Sequence, residues 1–189
     1  MTADSITSTG ADEFLQDLVP ARTGKIVWPR QGIEFAVGSY VTTEMPPPIL
    51  VTSVRAIVNL GQNVVVLENE DGRHYLPGGR VEAGETYLRA LAREVREECG
   101  LRLASAYMIG FLHMRHITPK HEHYIWPYPH IFQLVYDVQA TGQLVIGDVD
   151  GYETGAFLLL PEEAINLPDT ESARPFLELT MRLRSSDSG

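Results

Sequence analysis

Residues 76–101 read LPGGRVEAGETYLRALAREVREECGL, and they carry the strongest structural signal in the chain. The stretch from Thr86 to Cys99 contains no glycine or proline and is rich in Leu, Ala, Arg and Glu, which favour an α-helix. Gly100 follows at once, and glycine is a common residue just past a helix end. The segment therefore predicts a glycine-rich loop that leads directly into one helix.

A helix over residues 86–99 would have one apolar face and one acidic face. At 100° per residue, the apolar side chains fall in a single stripe that would pack on the core. These side chains are Leu88, Leu91, Ala92, Val95 and Cys99. Glu97 and Glu98 follow Glu94 by three and four residues, so three carboxylates share another face. Two interpretations stand: the acids pair with arginines on a solvated surface, or they bind a divalent cation.

The loop before the helix adds a second signal. Three of the residues 78–84 are glycines, which let backbone amides and carbonyls approach a ligand closely. The fixed points of loop and helix together are Gly79, Glu85, Arg93-Glu94-Val95, Glu97-Glu98 and Gly100-Leu101. This spacing resembles the complete box of the Nudix hydrolase family, and the order of the surrounding strands extends the resemblance to residues 51–165.

The resemblance implies an α/β protein with the family's α/β/α sandwich, a mixed β-sheet and, here, an N-terminal extension. It implies an enzyme that uses Mg²⁺ or Mn²⁺ to cleave the pyrophosphate bond of a nucleoside diphosphate linked to another moiety. The metal would be held by Glu94, Glu97 and Glu98 with the carbonyl of Gly78, and Gly78 and Gly79 would form the cofactor-binding loop.

The resemblance also assigns catalytic roles to Glu97, Glu94, Arg93 and Glu85. Glu97 would be a metal ligand or the proton acceptor, and Arg93 would pair with Glu85 and orient the glutamates. This assignment is physically reasonable, because a fixed guanidinium can hold carboxylates in position without competing for their role as ligands.

Around the box, β-branched runs separated by turn residues predict a mainly strand-rich chain. The predicted strands cover residues 26–28, 33–41, 49–59, 64–68, 74–76, 106–117, 130–138 and 152–160. The predicted helices cover residues 12–19, 86–99, 161–165 and 171–184. This order predicts helices on both faces of a mixed sheet. The predicted division is a partly disordered N-terminal extension at 1–48, a Nudix hydrolase domain at 49–184 and a disordered tail at 185–189.

The charge and cysteine content restrict the partners and the compartment. The 189 residues include 15 basic and 25 acidic side chains, a formal net charge of −10, which disfavours nucleic-acid and membrane partners. The longest apolar runs fall far short of the ~20 residues that span a bilayer. Cys99 is the only cysteine, so no intrachain disulfide can form, and a cytoplasmic location is expected.

Residues 118–129 form a long segment rich in histidine and aromatic side chains. They could stack on a base and contact phosphates, or simply form a proline-stiffened loop that packs on its own sheet. The substrate-loop candidates are His121, Glu122, His123, Trp126 and Tyr128. An extra catalytic acid often lies outside the box in this family; Glu122 and Glu153 are the candidates, and the loop position favours Glu122.

Several alternatives stay open from the sequence. ADP-ribose or a nucleotide sugar is the favoured type of small-molecule substrate. Residues 126–129, Trp-Pro-Tyr-Pro, partly resemble the Trp-Pro-Phe-Pro core of the NADH pyrophosphatase branch, so NAD(H) is one alternative and a nucleoside triphosphate another. A non-catalytic, nucleotide-binding protein of the Nudix fold is an alternative of a different class. The N-terminal segment could add strands to the sheet or exchange with a second subunit in a homodimer.

Overall fold

A computed structural model describes residues 3–28, 32–70, 72–146, 153–168 and 172–187. Its helices are α1 (Ala3–Leu15), α2 (Tyr87–Cys99), α3 (Pro161–Ala164) and α4 (Arg174–Asp187). Its strands are β1 (Arg22–Trp28), β2 (Ile33–Tyr40), β3 (Val51–Leu60), β4 (Asn63–Asn69), β5 (Gly72–His74), β6 (Arg102–His116), β7 (His130–Thr141) and β8 (Glu153–Leu159). No helix within these ranges is long and apolar enough to cross a membrane.

The strands form one mixed sheet in the order β1-β2-β6-β7-β3-β4-β5, and β8 pairs with β4. β3 and β7 run parallel, with Ala56 opposite Tyr136, whereas the other neighbours run antiparallel. The N-terminal hairpin of β1 and β2 joins the sheet of its own chain through β6, where Val37 lies opposite Met114. Within this chain the N-terminal segment therefore adds two strands to the sheet.

Helices cover the sheet on both faces, and each face has its own apolar cluster. On one face, Ala11 of α1 and Leu91 of α2 belong to the same cluster as Phe111 of the sheet. On the other face, Phe176 of α4 packs with Val135. Alternating side chains of a strand point to opposite faces, so both sides of the central strands are buried.

Helix α2 confirms the strongest sequence prediction. The Thr86 hydroxyl accepts a hydrogen bond from the backbone N–H of Arg89, and Gly100 ends the helix in the left-handed conformation at φ 68°. Within the predicted apolar stripe, Leu91, Val95 and Cys99 are buried. Leu88 and Ala92 are exposed instead, and Ala90, outside the predicted stripe, is buried in the cluster on this face.

The N-terminal helix differs from its prediction. It covers Ala3–Leu15 rather than residues 12–19, and thus includes most of a segment predicted to be disordered. The reason is tertiary packing: Ala11 is fully buried, and the ring of Phe14 lies 5.5 Å from that of Phe111. A contact between residues so far apart in the sequence cannot be predicted from local composition.

Other element boundaries moved by a few residues. β5 covers Gly72–His74, so it overlaps the strand predicted at 74–76 only at His74. β6 begins at Arg102 rather than at residue 106. The helix predicted at 171–184 continues to Asp187, into the predicted tail. Tyr152 and Glu171, with which two predicted elements began, lie outside the described residues.

Candidate active site

The glycine-rich loop lies along β3 and against helix α2. The backbone N–H groups of Val54 and Ala56 donate to the carbonyls of Gly79 and Pro77, each at 2.9 Å. Gly78 has a φ of +136°, and a Cβ there would lie 2.2 Å from the carbonyl oxygen of Val54. A Cβ on Gly79 would lie 2.4 Å from Oε1 of Glu94. The two glycines therefore permit close contact with the strand on one side and with a box glutamate on the other.

Arg93 holds three carboxylates at once. Its Nε and Nη2 donate to the two oxygens of Glu85, both at 3.0 Å, in a bidentate pair. Its Nη1 donates to Glu94 at 2.8 Å and to Glu97 at 3.1 Å. These contacts lower the pKa of Glu85 and raise that of Arg93, so the pair stays ionised. The predicted pairing of Arg93 with Glu85 is present in the structure, and the clamp also reaches the next two glutamates.

Glu98 lies on the inner side of this cluster. Its Oε2 accepts a hydrogen bond from the backbone N–H of Gly78 at 2.7 Å. Burial raises the pKa of Glu98 to about 7, against the opposing effect of the Arg55 guanidinium, and the carboxylates of Glu153 and Glu94 raise it further. Burial also raises the pKa of Glu94. Burial is thus the main cause of both raised pKa values, and a bound cation would favour the ionised form of these carboxylates.

Two residues far apart in the sequence complete the site. The guanidinium of Arg55 on β3 donates a short hydrogen bond to the Gly78 carbonyl. Glu153 on β8 is only 9% exposed, its Oε1 lies 3.3 Å from Nε2 of His74, and its Oε2 is buried without a hydrogen-bond partner among the described residues. Sequence reasoning overlooked Arg55, although a charged residue inside the apolar run 54–58 was the signal that could have identified it.

The extra acid favoured from the sequence, Glu122, is not part of this arrangement. Its side chain is exposed in the loop, as are those of His121 and His123, and no described contact joins the three to the box glutamates. Pairing of β8 with β4 brings Glu153 to the site instead. The structure thus places Glu153, and not Glu122, beside the box glutamates, because spatial neighbours depend on sheet register rather than on sequence distance.

The aromatic end of the same loop does reach the box. The Arg80 guanidinium lies over the ring of Trp126, 3.8 Å from its centroid, and the Arg80 carbonyl accepts from Arg93 at 2.9 Å. The Tyr128 hydroxyl donates to the carbonyl of Thr118 at 3.3 Å, within the loop. Of the five substrate-loop candidates, Trp126 is therefore brought next to the box by a described contact, and Tyr128 holds the loop together.

The oxygen ligands at this site suit a hard divalent cation, although their side chains do not converge on one point. Carboxylate and carbonyl oxygens are the ligands that Mg²⁺ and Mn²⁺ prefer. Among the residues that the structure describes, no group of three or more His, Cys, Asp or Glu side chains is arranged to hold a metal. Arg93 holds Glu94 and Glu97, and Glu98 turns to the Gly78 amide. The buried carboxylates, and the Glu153 oxygen that has no hydrogen-bond partner among the described residues, fit a cation toward which these side chains would turn.

A mixed sheet between helices, with a glycine-rich loop and an arginine-clamped glutamate helix on one side, defines a Nudix-type α/β/α sandwich. The model of the family described as NUDIX domain matches residues 50–180, and the chain belongs to that family. Nudix hydrolases generally use divalent metal ions.

Two similar curated proteins illustrate the range of relatives. The NAD-capped RNA hydrolase NudC of Pseudomonas aeruginosa strain PAO1 is 28% identical over 145 residues, which cover 73% of this chain and 46% of NudC. The putative 8-oxo-dGTP diphosphatase 2 of Mycobacterium tuberculosis H37Rv is 64% identical over 33 residues, 18% of this chain and 23% of that protein. The chain thus matches less than half the length of either relative.

Solved structures share the fold. The Bacillus subtilis pyrophosphohydrolase BsRppH has a TM-score of 0.56 at 23% identity, covering 88% of this chain and 98% of that one. The NUDIX domain of Shewanella oneidensis NrtR, solved with ADP ribose, has a TM-score of 0.53 at 12% identity. The match covers 71% of this chain and 88% of the NrtR domain.

Proposed function

We propose that the chain is a metal-dependent pyrophosphohydrolase that cleaves the diphosphate bond of a nucleoside diphosphate linked to another moiety, with ADP-ribose or a nucleotide sugar as the favoured type. One observation carries the proposal: Arg93 holds Glu85, Glu94 and Glu97 in fixed positions. All the box glutamates are thus present and organised, whereas loss of one would favour a non-catalytic nucleotide-binding protein.

The residues that would hold Mg²⁺ or Mn²⁺ are Glu94, Glu97 and Glu98 with the Gly78 carbonyl. The cation, when bound, neutralises charge on the diphosphate oxygens and makes water more nucleophilic. Glu97 is partly exposed next to Glu94 and can act as a ligand or accept the proton of the attacking water. Glu153 is the extra acid in place of Glu122, since it couples to Glu98 and keeps one oxygen free of hydrogen bonds among the described residues.

Arg93 acts as a positioning residue. Its bidentate bond to Glu85 fixes the guanidinium, and the fixed guanidinium holds Glu94 and Glu97. A preorganised arrangement lowers the cost of bringing charged ligands together at the moment of binding.

A second candidate activity is hydrolysis of NAD(H) or of NAD-capped RNA. The similarity to NudC over 145 residues and the sequence Trp-Pro-Tyr-Pro at 126–129 favour it. The formal charge of −10 opposes the RNA form of this substrate more than the free dinucleotide.

A substrate panel tests the proposal. The purified chain is incubated with ADP-ribose, UDP-glucose, NADH and dGTP, each with Mg²⁺ or Mn²⁺, and nucleoside monophosphates are separated by anion-exchange chromatography. We expect AMP from ADP-ribose or UMP from UDP-glucose. Faster release of AMP from NADH would favour the second candidate, and no product from any substrate with either metal would overturn the hydrolase proposal.

The organisation around this activity is also proposed. Residues 49–184 would form the hydrolase domain, with residues 1–48 as an extension whose hairpin enlarges the sheet. A homodimer is proposed on the edge position of β1, and light scattering that gives the mass of one chain would contradict it. A cytoplasmic location is proposed because Cys99, the lone cysteine, is buried and forms no disulfide.

A further inference from the structure

His116, the last residue of β6, is a buried histidine whose ring nitrogens make no hydrogen bonds. Only 7% of the residue is exposed. Nδ1 and Nε2 are both buried and have no hydrogen-bond partner among the described residues. Buried polar groups are normally hydrogen-bonded, so an imidazole in this state needs an explanation.

Three aromatic rings surround the imidazole of His116. Phe35 on β2 lies opposite it in the register, 4.3 Å away between ring centroids. Two more rings come from the loop of residues 118–129. Tyr124 packs edge-on at 4.6 Å, and Tyr128 lies at 5.1 Å. His116 is therefore the place on the sheet against which this loop packs.

The same loop reaches the box through Trp126, whose ring is covered by the Arg80 guanidinium at 3.8 Å. Burial raises the pKa of Tyr124 to about 12, against the lowering effect of the nearby Arg80. The Arg80 carbonyl in turn accepts a hydrogen bond from Arg93. Contacts thus extend from His116 through the loop to the arginine that holds the box glutamates.

The surroundings of His116 suit only the neutral ring. Protonation adds a positive charge and a second N–H donor, and a buried charge without a partner is costly. The titratable groups on the loop side of the ring are basic or phenolic: His121, Lys120, Arg80, Tyr124 and Tyr128. On the β2 side, the contact is the uncharged ring of Phe35. Burial lowers the pKa of His116, and His121 lowers it further.

We propose that His116 is a positioning residue, whose neutral ring anchors the loop of residues 118–129 on the sheet and whose protonation releases Trp126 from Arg80. In the released loop His116 would be in water, where it takes up a proton at its ordinary pKa of 6.5. The loop is therefore fully packed above pH 6.5. The ratio of released to packed loop rises up to about ten-fold for each pH unit below that value.

Release of the loop would act on the box through Arg80. Trp126 holds the side chain of Arg80, and the carbonyl of Arg80 is one of the acceptors that fix the Arg93 guanidinium. A less firmly held guanidinium would orient the glutamates less well, so turnover would fall in acid. This effect on turnover rests on the proposed function, whereas the movement of the loop does not.

Acrylamide quenching of Trp126 fluorescence tests the release directly. The chain has two tryptophans, so Trp28→Phe leaves Trp126 as the only one and serves as the parent protein. His116→Phe is added to this parent, because it keeps an aromatic ring but cannot be protonated. His123→Phe, the same change at an exposed position of the loop, is the matched control.

The quenching constant is measured at pH 7.5 and at pH 5, and far-UV circular dichroism checks that each protein stays folded. We expect the constant to rise about two-fold or more at pH 5 in the parent and in the His123→Phe control. In His116→Phe it should stay unchanged. No rise in the parent, or an equal rise in His116→Phe, would overturn the inference.

Arg80→Ala in the same parent gives a second reading that does not depend on the folding of His116→Phe. Loss of the guanidinium that covers Trp126 should raise quenching at pH 7.5 to the value that the parent reaches at pH 5. Quenching in Arg80→Ala equal to that of the parent at pH 7.5 would overturn the inference.

Turnover of the best substrate in the panel distinguishes failure of this inference from failure of the proposed function. Between pH 7.5 and 5 we expect the wild type to lose about ten-fold more turnover than His116→Phe. Equal losses would overturn the positioning role of His116. If the loop is released in acid but no diphosphate is cleaved, the anchoring role stands and the hydrolase proposal falls. Cleavage with a loop that does not respond to pH gives the reverse.

Discussion

At the scale of single residues, the candidate site depends on what each nitrogen of Arg93 contacts. Nε and Nη2 hold Glu85, Nη1 reaches Glu94 and Glu97, and Nη2 also donates to the carbonyl of Arg80. A lysine at this position would keep the charge but would lose the planar set of donors.

Arg93→Lys tests this dependence. We expect kcat to fall about 10- to 100-fold, which is the usual cost of losing a residue that orients metal ligands, while the fold stays intact. Arg89→Lys is the matched control on the same helix, since Arg89 is exposed. Steady-state kinetics on the best substrate of the panel measure the effect, and an Arg93→Lys variant as fast as the control would argue against the clamp.

Gly79→Ala distinguishes an effect on the candidate active site from an effect on the stability of the fold. The added Cβ would meet the Glu94 carboxylate at 2.4 Å, and a carboxylate at the end of a flexible side chain can move aside at little cost in stability. We expect the free energy of unfolding to stay within about 1 kcal/mol of wild type, while turnover falls about 100-fold because Glu94 is displaced. Gly24→Ala, where a Cβ meets open space, is the control. Urea unfolding measures the stability of both variants, and steady-state kinetics measure their turnover. Turnover of Gly79→Ala equal to that of Gly24→Ala would contradict the prediction.

At the scale of elements, helices and strands are predicted best from the sequence where several local signals agree. Helix α2 has strong helix formers, a threonine cap and a terminal glycine, and it was found close to its predicted bounds. Helix α1 was predicted poorly, because its packing on Phe111 involves a strand about a hundred residues away. The same reason explains why the sequence favours Glu122 over Glu153 as the extra acid: only the pairing of β8 with β4 shows which acid lies near Glu98.

Helix α1 lies over a buried pair of histidines between β6 and β7. Nε2 of His113 lies 2.8 Å from Nδ1 of His130, and Nε2 of His130 lies 3.8 Å from the carboxylate of Asp12 on α1. Burial lowers the pKa of His113 to about 3, and the neighbouring His130 and Arg115 lower it further. Burial lowers the pKa of His130 as well, against the raising effect of Asp12.

This pair makes the fold sensitive to acid. Because the pKa of His113 is lower in the folded chain than the ordinary 6.5, the unfolded chain binds the extra proton between about pH 6.5 and 3. Stability is therefore complete above pH 6.5 and falls as the pH falls. Between pH 7.5 and 5, His113 alone would reduce the free energy of unfolding by about 2 kcal/mol.

His113→Leu tests the effect, with urea unfolding measured at pH 7.5 and at pH 5. We expect the loss of stability between the two pH values to be about 2 kcal/mol smaller than in the wild type. The exposed His121, changed to Leu, is the matched control and should lose as much stability as the wild type. An unchanged pH dependence in His113→Leu would show that the buried pair is not the cause.

At the scale of the whole molecule, the charge bears on which substrates can approach. The net charge of −10 repels a polyanion over its whole length, whereas a dinucleotide contacts only the site. We expect an unmodified RNA oligonucleotide to bind more weakly than about 10⁻⁴ M at physiological salt, the weak limit of ordinary nonspecific binding. A gel-shift titration measures it. Tighter binding that weakens steeply with salt would favour capped RNA as the substrate.

The sheet as a whole explains what sequence could and could not supply about the site. The box residues lie close together in the sequence, and their resemblance to the Nudix family implied that Arg93 would pair with Glu85 and orient the glutamates. Arg55 and Glu153 come from strands that meet the box only after the sheet has formed. Their neighbours depend on strand order, which a single sequence does not specify.

The most direct test of the central claim is the rate of AMP release from ADP-ribose with Mn²⁺ or Mg²⁺, compared between wild type and Glu98→Gln. Glu162→Gln, at an exposed position of α3, is the control for loss of one charge. The account predicts metal-dependent release by the wild type and the control, and a rate at least about 100-fold lower in Glu98→Gln. Equal rates in wild type and Glu98→Gln would contradict it.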